Sequence, residues 1–155
     1  MTWIETIAPE DAEGRLKALY ARVADATGQV DNILRAHSLR PHTLEGHMAL
    51  YKSVLHHFGN RCDPALLETI GVAVSLWNGC RYCVAHHRTG LARLLGDKAR
   101  ATAIAEAIAA GRPEEVLDAK TLAALGYAEK LTRAPARLEA ADIEALRAAG
   151  FSDGE

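Results

Sequence analysis

The sequence predicts an all-α fold, a compact domain of about six to eight helices, and three observations predict it. Nearly every segment opens on Pro, Asp or Asn and closes on Gly, the start and stop signals of helices. Between those marks apolar residues recur at three- and four-residue spacing, the helical period. No run alternates apolar and polar residues for long enough to make a half-buried strand.

Each element follows from those signals. The first helix begins at Pro9, which suits the first helical position, turns Leu16, Leu19, Tyr20 and Val23 inward and ends near Gly28. A short helical turn follows Asp31. Pro41 opens a second long element with Leu44, Met48, Tyr51, Val54 and Leu55 on one side, and it stops before Gly59. Asp63-Pro64 caps the next, residues 64–77.

That segment, PALLETIGVAVSLW, is apolar around nearly its whole circumference, as a helix must be when neighbours cover every side. Its sole ionisable residue is Glu68. Alone, IGVAVSLW could be a buried strand, but its helical surroundings and the lack of partner strands favour a helix. Asn78-Gly79 breaks it, and Asn78 caps a helix from about Cys80 to Leu95. Gly96-Asp97 restarts the pattern through Ala109. Beyond Arg112-Pro113, one helix covers about Asp118 to Leu131, carrying Leu122, Leu125, Tyr127 and Ala128, and another about Ala140 to Ala149. Residues 1–155 thus read as a single domain whose redox core lies at about 64–95.

Composition narrows the function classes. A formal charge of -2 leaves no basic footprint for nucleic acid or anionic lipid. No apolar stretch approaches the roughly 18 residues that span a bilayer, and MTWIETIAPEDAEG lacks the basic start and apolar core of a secretory leader. The expectation is a cytoplasmic protein without nucleic acid or membrane partners. Three cysteines do not make a secreted disulfide framework, and C-x-x-C in an intracellular chain indicates redox or metal chemistry.

Cys80, Cys83 and His87 stand at i, i+3 and i+7, within roughly 60 degrees of one another on one helix face. With the helix starting at Asn78, Cys80 lies in the first turn and Cys83 just after it, where free N–H groups and the positive dipole end favour a thiolate, most strongly at Cys80. Cys83 lies one turn before His87, so the imidazole can take or hold its proton. Glu68 is costly on a buried helix unless paired. His87 across the helix junction is the natural partner, directly or through water, with Arg88 or Arg93 as the alternatives.

By themselves the two cysteines read equally as a redox pair or as packed small hydrophobes. Two Cys, a His and a Glu could also hold zinc, but structural zinc sites usually draw on two knuckles or loops rather than one helix face, so no metal is expected. Tyr82 and His86 point to the opposite side, toward packing or subunit contact. His37, His42, His47, His56 and His57 form no HExxH or other compact ligand spacing, although the segment bearing His37 could approach the site. Cys62 reads as a packed thiol.

Glu68, eleven intervening residues and then Cys80-Arg81-Tyr82-Cys83-Val84-Ala85-His86-His87 resembles the E...C-x-x-C-x-x-x-H signature of the AhpD-like proteins, in the carboxymuconolactone decarboxylase superfamily. The stretches SLWNGCRYC, NILRAHSLRP and KLT...DIEALRAAGFSD look like the peroxidase-related branch, so the resemblance covers most of the chain. It implies an AhpD-like domain acting as a thiol peroxidase or disulfide reductase of hydroperoxides. Cys83 would be the peroxide-attacking thiol, Cys80 its disulfide partner, and His87 with Glu68 the proton relay. It implies no bound cofactor, an external dithiol donor that is a lipoyl protein or thioredoxin-like, and a homo-oligomer, trimer or hexamer. The chain departs from the best-studied AhpD proteins at Tyr82, where they carry a histidine between the cysteines. Decarboxylases of the superfamily typically lack the C-x-x-C pair. Two other readings are a redox-responsive binding or assembly module without turnover, and a non-redox, decarboxylase-like enzyme using His87 and Glu68 as acid and base.

Overall fold

A computed structural model describes residues 3–155, and among them every regular element is helical. They fall into two compact units that divide between Phe58 and Gly59.

In the first unit a 3-10 turn, Pro9–Asp11, precedes α1 (Gly14–Val23), α2 (Asn32–Arg35) and α3 (Pro41–Leu55). The apolar stripe of α1 buries Leu16, Leu19 and Tyr20 with Leu34 and Leu44. The Tyr20 hydroxyl donates to the Ile7 carbonyl and the Ile7 N–H donates to the buried Ser38 hydroxyl, both at 2.9 Å, which satisfies polar groups inside an apolar cluster.

The helix expected from Pro9 to Gly28 is shorter and interrupted. Ala12 and Glu13 are extended, and α1 stops at Val23. The cause is local: Asp25 Oδ1 accepts from the N–H groups of Thr27 and Gln29 and from the Thr27 hydroxyl, offering the backbone a turn in place of another helical one. Gly28, at φ +83°, completes that turn. In α3, Val54 faces outward rather than joining Leu44 inside, so the buried stripe is narrower than the pattern suggested.

The second unit holds α4 (Pro64–Trp77), α5 (Arg81–Leu95), α6 (Lys98–Ala109), α7 (Ala119–Arg133) and α8 (Ala140–Ala148). Three of these helices begin on aspartate caps, with Asp63, Asp97 and Asp118 accepting from Ala65, Arg100 and Thr121 N–H at 2.9, 2.9 and 2.7 Å. α4 has the bounds its sequence predicts, and its all-round apolar surface packs on α5, α6 and α7. Its Val72 and Ala73 are wholly buried in a cluster with Leu91, Ala101, Ile104 and Leu125. Lys130 binds Asp142 at 2.7 Å and ties α8 to α7.

The junction between α4 and α5 differs from expectation by two residues. Asn78 closes α4, its N–H bonding back to the Val74 carbonyl, and does not cap α5. Gly79, at φ +66°, turns the chain, and Cys80 becomes the cap of α5. The Ser75 carbonyl takes the Cys80 N–H at 2.9 Å, which extends the end of α4 past Asn78. No helix among the described residues is long and apolar enough to cross a membrane.

Candidate active site

The four residues selected from the sequence all belong to the second unit, on α4, on α5 and at the turn between them. Cys80 and Cys83 are joined by a disulfide with their Cα atoms 5.3 Å apart. The Cys83 N–H points at Cys80 Sγ, 3.3 Å away, so the sulfur caps the helix that carries its partner. Cys83 is therefore in the first turn of α5, and Cys80 stands just outside it.

Glu68 is 6% exposed on α4. Its Oε2 lies 2.8 Å from Nδ1 of His87, so the buried carboxylate is paired directly with the imidazole and not with Arg88 or Arg93. With the ring neutral, the Nδ1 proton donates to the carboxylate and Nε2 is the basic nitrogen. His87 follows Cys83 by one helical turn on the same helix. A thiol pair, an imidazole and a buried carboxylate that fixes it are thus held by two packed helices. Such a set can supply a nucleophile, a base and a group that stabilises the base when it is charged.

Tyr82 and His86 stack on each other at 6.3 Å between ring centroids, and the His86 ring meets that of His87 edge-on at 5.9 Å. A groove of about 410 Å³, lined by Leu76, Arg81, Val84 and Arg88 among others, runs along the flank of α5. A larger cavity of about 630 Å³ lies against Trp77, Leu125 and Arg133 and touches none of the four residues.

Of the other candidates, His37 belongs to the first unit and Cys62 to the second. His37 Nδ1 is 2.9 Å from the Thr43 hydroxyl, and burial together with nearby His47 lowers its pKa. The Cys62 thiol donates to the Glu155 carbonyl, and burial pushes its pKa up, with the Glu155 charge adding to the effect. Among the described residues, no group of three His, Cys, Asp or Glu side chains is placed to hold a metal ion. Sequence reasoning passed over Gly71 and Gly90, which lie where the two helices face each other at Glu68 and His87. The signal was present as glycine three residues after each of those side chains.

Residues 41–130, more than half of the chain and including all four site residues, match the model of the carboxymuconolactone decarboxylase family. The chain belongs to that family. Within it, this carboxymuconolactone decarboxylase family member sits on the peroxidase-related branch. It is similar to the crystal structure of an uncharacterized peroxidase-related protein from Silicibacter sp. TM1040, at 30% identity and a TM-score of 0.76 over 89% of this chain and 70% of that one. It is also similar to an uncharacterized peroxidase-related protein from Ralstonia eutropha JMP134, described as an alkylhydroperoxidase AhpD core, at 27% identity and a TM-score of 0.76 over the same shares. Comparison with curated proteins gave no match.

Proposed function

We propose that this family member is a thiol-dependent peroxidase of the alkylhydroperoxidase type. The observation that carries the reading is the buried Glu68 carboxylate on Nδ1 of His87, 2.8 Å away, one helical turn from a cysteine that forms a disulfide with its C-x-x-C neighbour. In the reduced protein, His87 takes the Cys83 proton, and the thiolate attacks the terminal oxygen of a hydroperoxide. The O–O bond breaks, Cys83 becomes a sulfenic acid, and the alkoxide takes the proton from His87 and leaves as an alcohol. Cys80 then gives up its proton, its thiolate attacks the sulfenic sulfur, the hydroxyl group takes up a proton and leaves as water, and the Cys80–Cys83 disulfide forms. Two electrons and two protons from an external dithiol restore the two thiols.

The dithiol would be lipoyl-bearing or thioredoxin-like, and the cytoplasm, where such donors are kept reduced, is the compartment the cycle needs. Exposed Leu94, Leu95, Leu131 and Ile143 on the second unit support assembly into a homo-oligomer, a trimer or hexamer in this reading. The test is consumption of tert-butyl hydroperoxide with dihydrolipoamide as reductant. Turnover is expected in the unaltered protein, absent in Cys83→Ser and slowed in His87→Ala. Equal activity in all three would overturn the reading and favour chemistry that does not use the cysteines.

A further inference from the structure

Two glycines stand inside the helices that carry the site, and neither is there for its backbone. Gly71 of α4 and Gly90 of α5 are absent from the positions with positive φ. An interior helical glycine is less favourable than alanine, so each position forgoes helix stability unless the missing side chain serves something else.

What it serves is visible in the space. A Cβ on Gly71 would lie 2.5 Å from Nδ1 of His87, 2.7 Å from its Cγ and 2.8 Å from its Cε1. A Cβ on Gly90 would lie 2.5 Å from Oε1 of Glu68, 2.7 Å from its Cδ and 3.0 Å from its Oε2. The arrangement is reciprocal: the imidazole of α5 rests on the bare backbone of α4, and the carboxylate of α4 rests on the bare backbone of α5. Gly46 of α3 and Gly126 of α7 are also interior helical glycines without positive φ, yet a Cβ there would meet nothing within 4 Å. Close approach is therefore particular to the two glycines at the pair.

We propose that Gly71 and Gly90 are positioning residues whose missing side chains make the space in which Glu68 and His87 bond. A methyl group at Gly71 displaces the ring, and one at Gly90 displaces the carboxylate. Either change separates the imidazole from the acceptor that fixes its Nδ1 proton. The effect on catalysis rests on the peroxidase reading, whereas the effect on the pair does not.

The experiment compares Gly71→Ala, Gly90→Ala, Gly46→Ala and Gly126→Ala with the unaltered protein. It follows the His87 side-chain ¹⁵N and Nδ1–H signals, the melting temperature, and the rate at which peroxide oxidises the reduced Cys80/Cys83 pair. Gly46→Ala and Gly126→Ala are expected to raise the melting temperature and leave the His87 signals and the rate in place. Gly71→Ala and Gly90→Ala are expected to lose the hydrogen-bonded Nδ1–H signal and to slow oxidation about 100-fold, the scale of a misplaced catalytic group. Their melting temperatures should fall short of the gain seen at Gly46 and Gly126.

That shortfall should vanish for Gly71→Ala in a His87→Ala background and for Gly90→Ala in a Glu68→Ala background, because the obstructing side chain is gone. An unchanged His87 signal in Gly71→Ala and Gly90→Ala, or a shortfall that persists in the matching background, would overturn the proposal. If the signals and the paired variants behave as expected while the unaltered protein consumes no peroxide, the positioning role stands and the peroxidase reading falls.

Discussion

Replacing Glu68 by Gln separates what the carboxylate contributes as a charge from what it contributes as a shape. In the native site the carboxylate accepts from Nδ1 of His87 at 2.8 Å, with the two side chains 8% and 22% exposed. Glutamine is nearly isosteric and its carbonyl can still accept, so the imidazole keeps its orientation and loses only the negative charge beside it. Charge-assisted hydrogen bonds are worth about 1.5–3 kcal/mol, roughly twice their neutral counterparts, so the substitution removes about 1.4 kcal/mol of support for the charged imidazole, about a tenfold loss of rate. The partial exposure of His87 lets water screen the pair, so the loss does not exceed this tenfold scale. Glu68→Ala removes the acceptor as well, and its expected loss is about 2.7 kcal/mol, or about 100-fold. The assay is a single turnover: reduced protein is mixed with excess tert-butyl hydroperoxide and disulfide formation is followed by stopped flow, with no reductant step in the signal. If Glu68→Gln oxidises at the native rate at every pH, the carboxylate charge plays no part. If the loss in Glu68→Ala only tracks a loss of folded protein, Glu68 is merely structural.

Three further outcomes follow from other parts of the molecule. Cys80→Ser keeps an oxygen at the cap of α5 but removes the resolving thiol, so peroxide should leave a Cys83 sulfenic acid that dimedone traps and mass spectrometry detects; a Cys80→Ser protein that takes up no dimedone on Cys83 would move the attacking role elsewhere. Leu91 is 1% exposed and packs in one cluster with Val72 and Ile104, so Leu91→Ala should cost about 2–5 kcal/mol in denaturant unfolding; a cost well under 1 kcal/mol would mean the cluster repacks freely. Asp142 is held below its ordinary value of 3.8 first by the Lys130 side chain and then by the Glu139 N–H. A depressed folded value means stability present above 3.8 and lost as pH falls through the folded value, so the melting-temperature advantage of the native protein over Asp142→Asn should be full at about pH 6 and shrink toward about pH 2; an advantage that grows on acidification would contradict the pairing.

What the sequence makes legible is what local chemistry alone decides. Asp63-Pro64 and Trp77-Asn78-Gly79 bound α4 because an aspartate cap and a left-handed glycine each act within a few residues. The Glu68–His87 contact was foreseeable because a lone charge on an apolar helix must find a partner, and the imidazole on the next helix is near enough. The early end of α1 was not, because Asp25 competes for backbone donors as effectively from a turn as it could from a helix, and only the hydrogen bonds to Thr27 and Gln29 decide the competition. The cap of α5 was misplaced for a related reason. Asn is the better cap by type, but the Ser75 carbonyl captures the Cys80 N–H and carries the end of α4 past Asn78. The roles of Gly71 and Gly90 depend on which faces of α4 and α5 meet, and no single helix records that.

The position of Cys80 at the cap bears on which thiol attacks first in the proposed cycle. The helix terminus favours negative charge at Cys80 by about 0.3–1 kcal/mol, and by at most about 2 kcal/mol where burial helps. A base one helical turn away favours Cys83 by more in the proposed cycle, since positioned proton transfer contributes about 10²–10⁴-fold, or about 2.7–5.5 kcal/mol. Under the proposed cycle the larger effect favours first attack by Cys83, which lies one turn from His87 on α5. The smaller effect then finds its use in the second step. Once Cys83 is a sulfenic acid, the attacking group is the Cys80 thiolate, and the Cys83 N–H at the start of α5 faces the Cys80 sulfur. In the proposed cycle the Cys83 N–H, which donates to the Cys80 sulfur in the disulfide form, is placed to donate to the Cys80 thiolate that closes the disulfide.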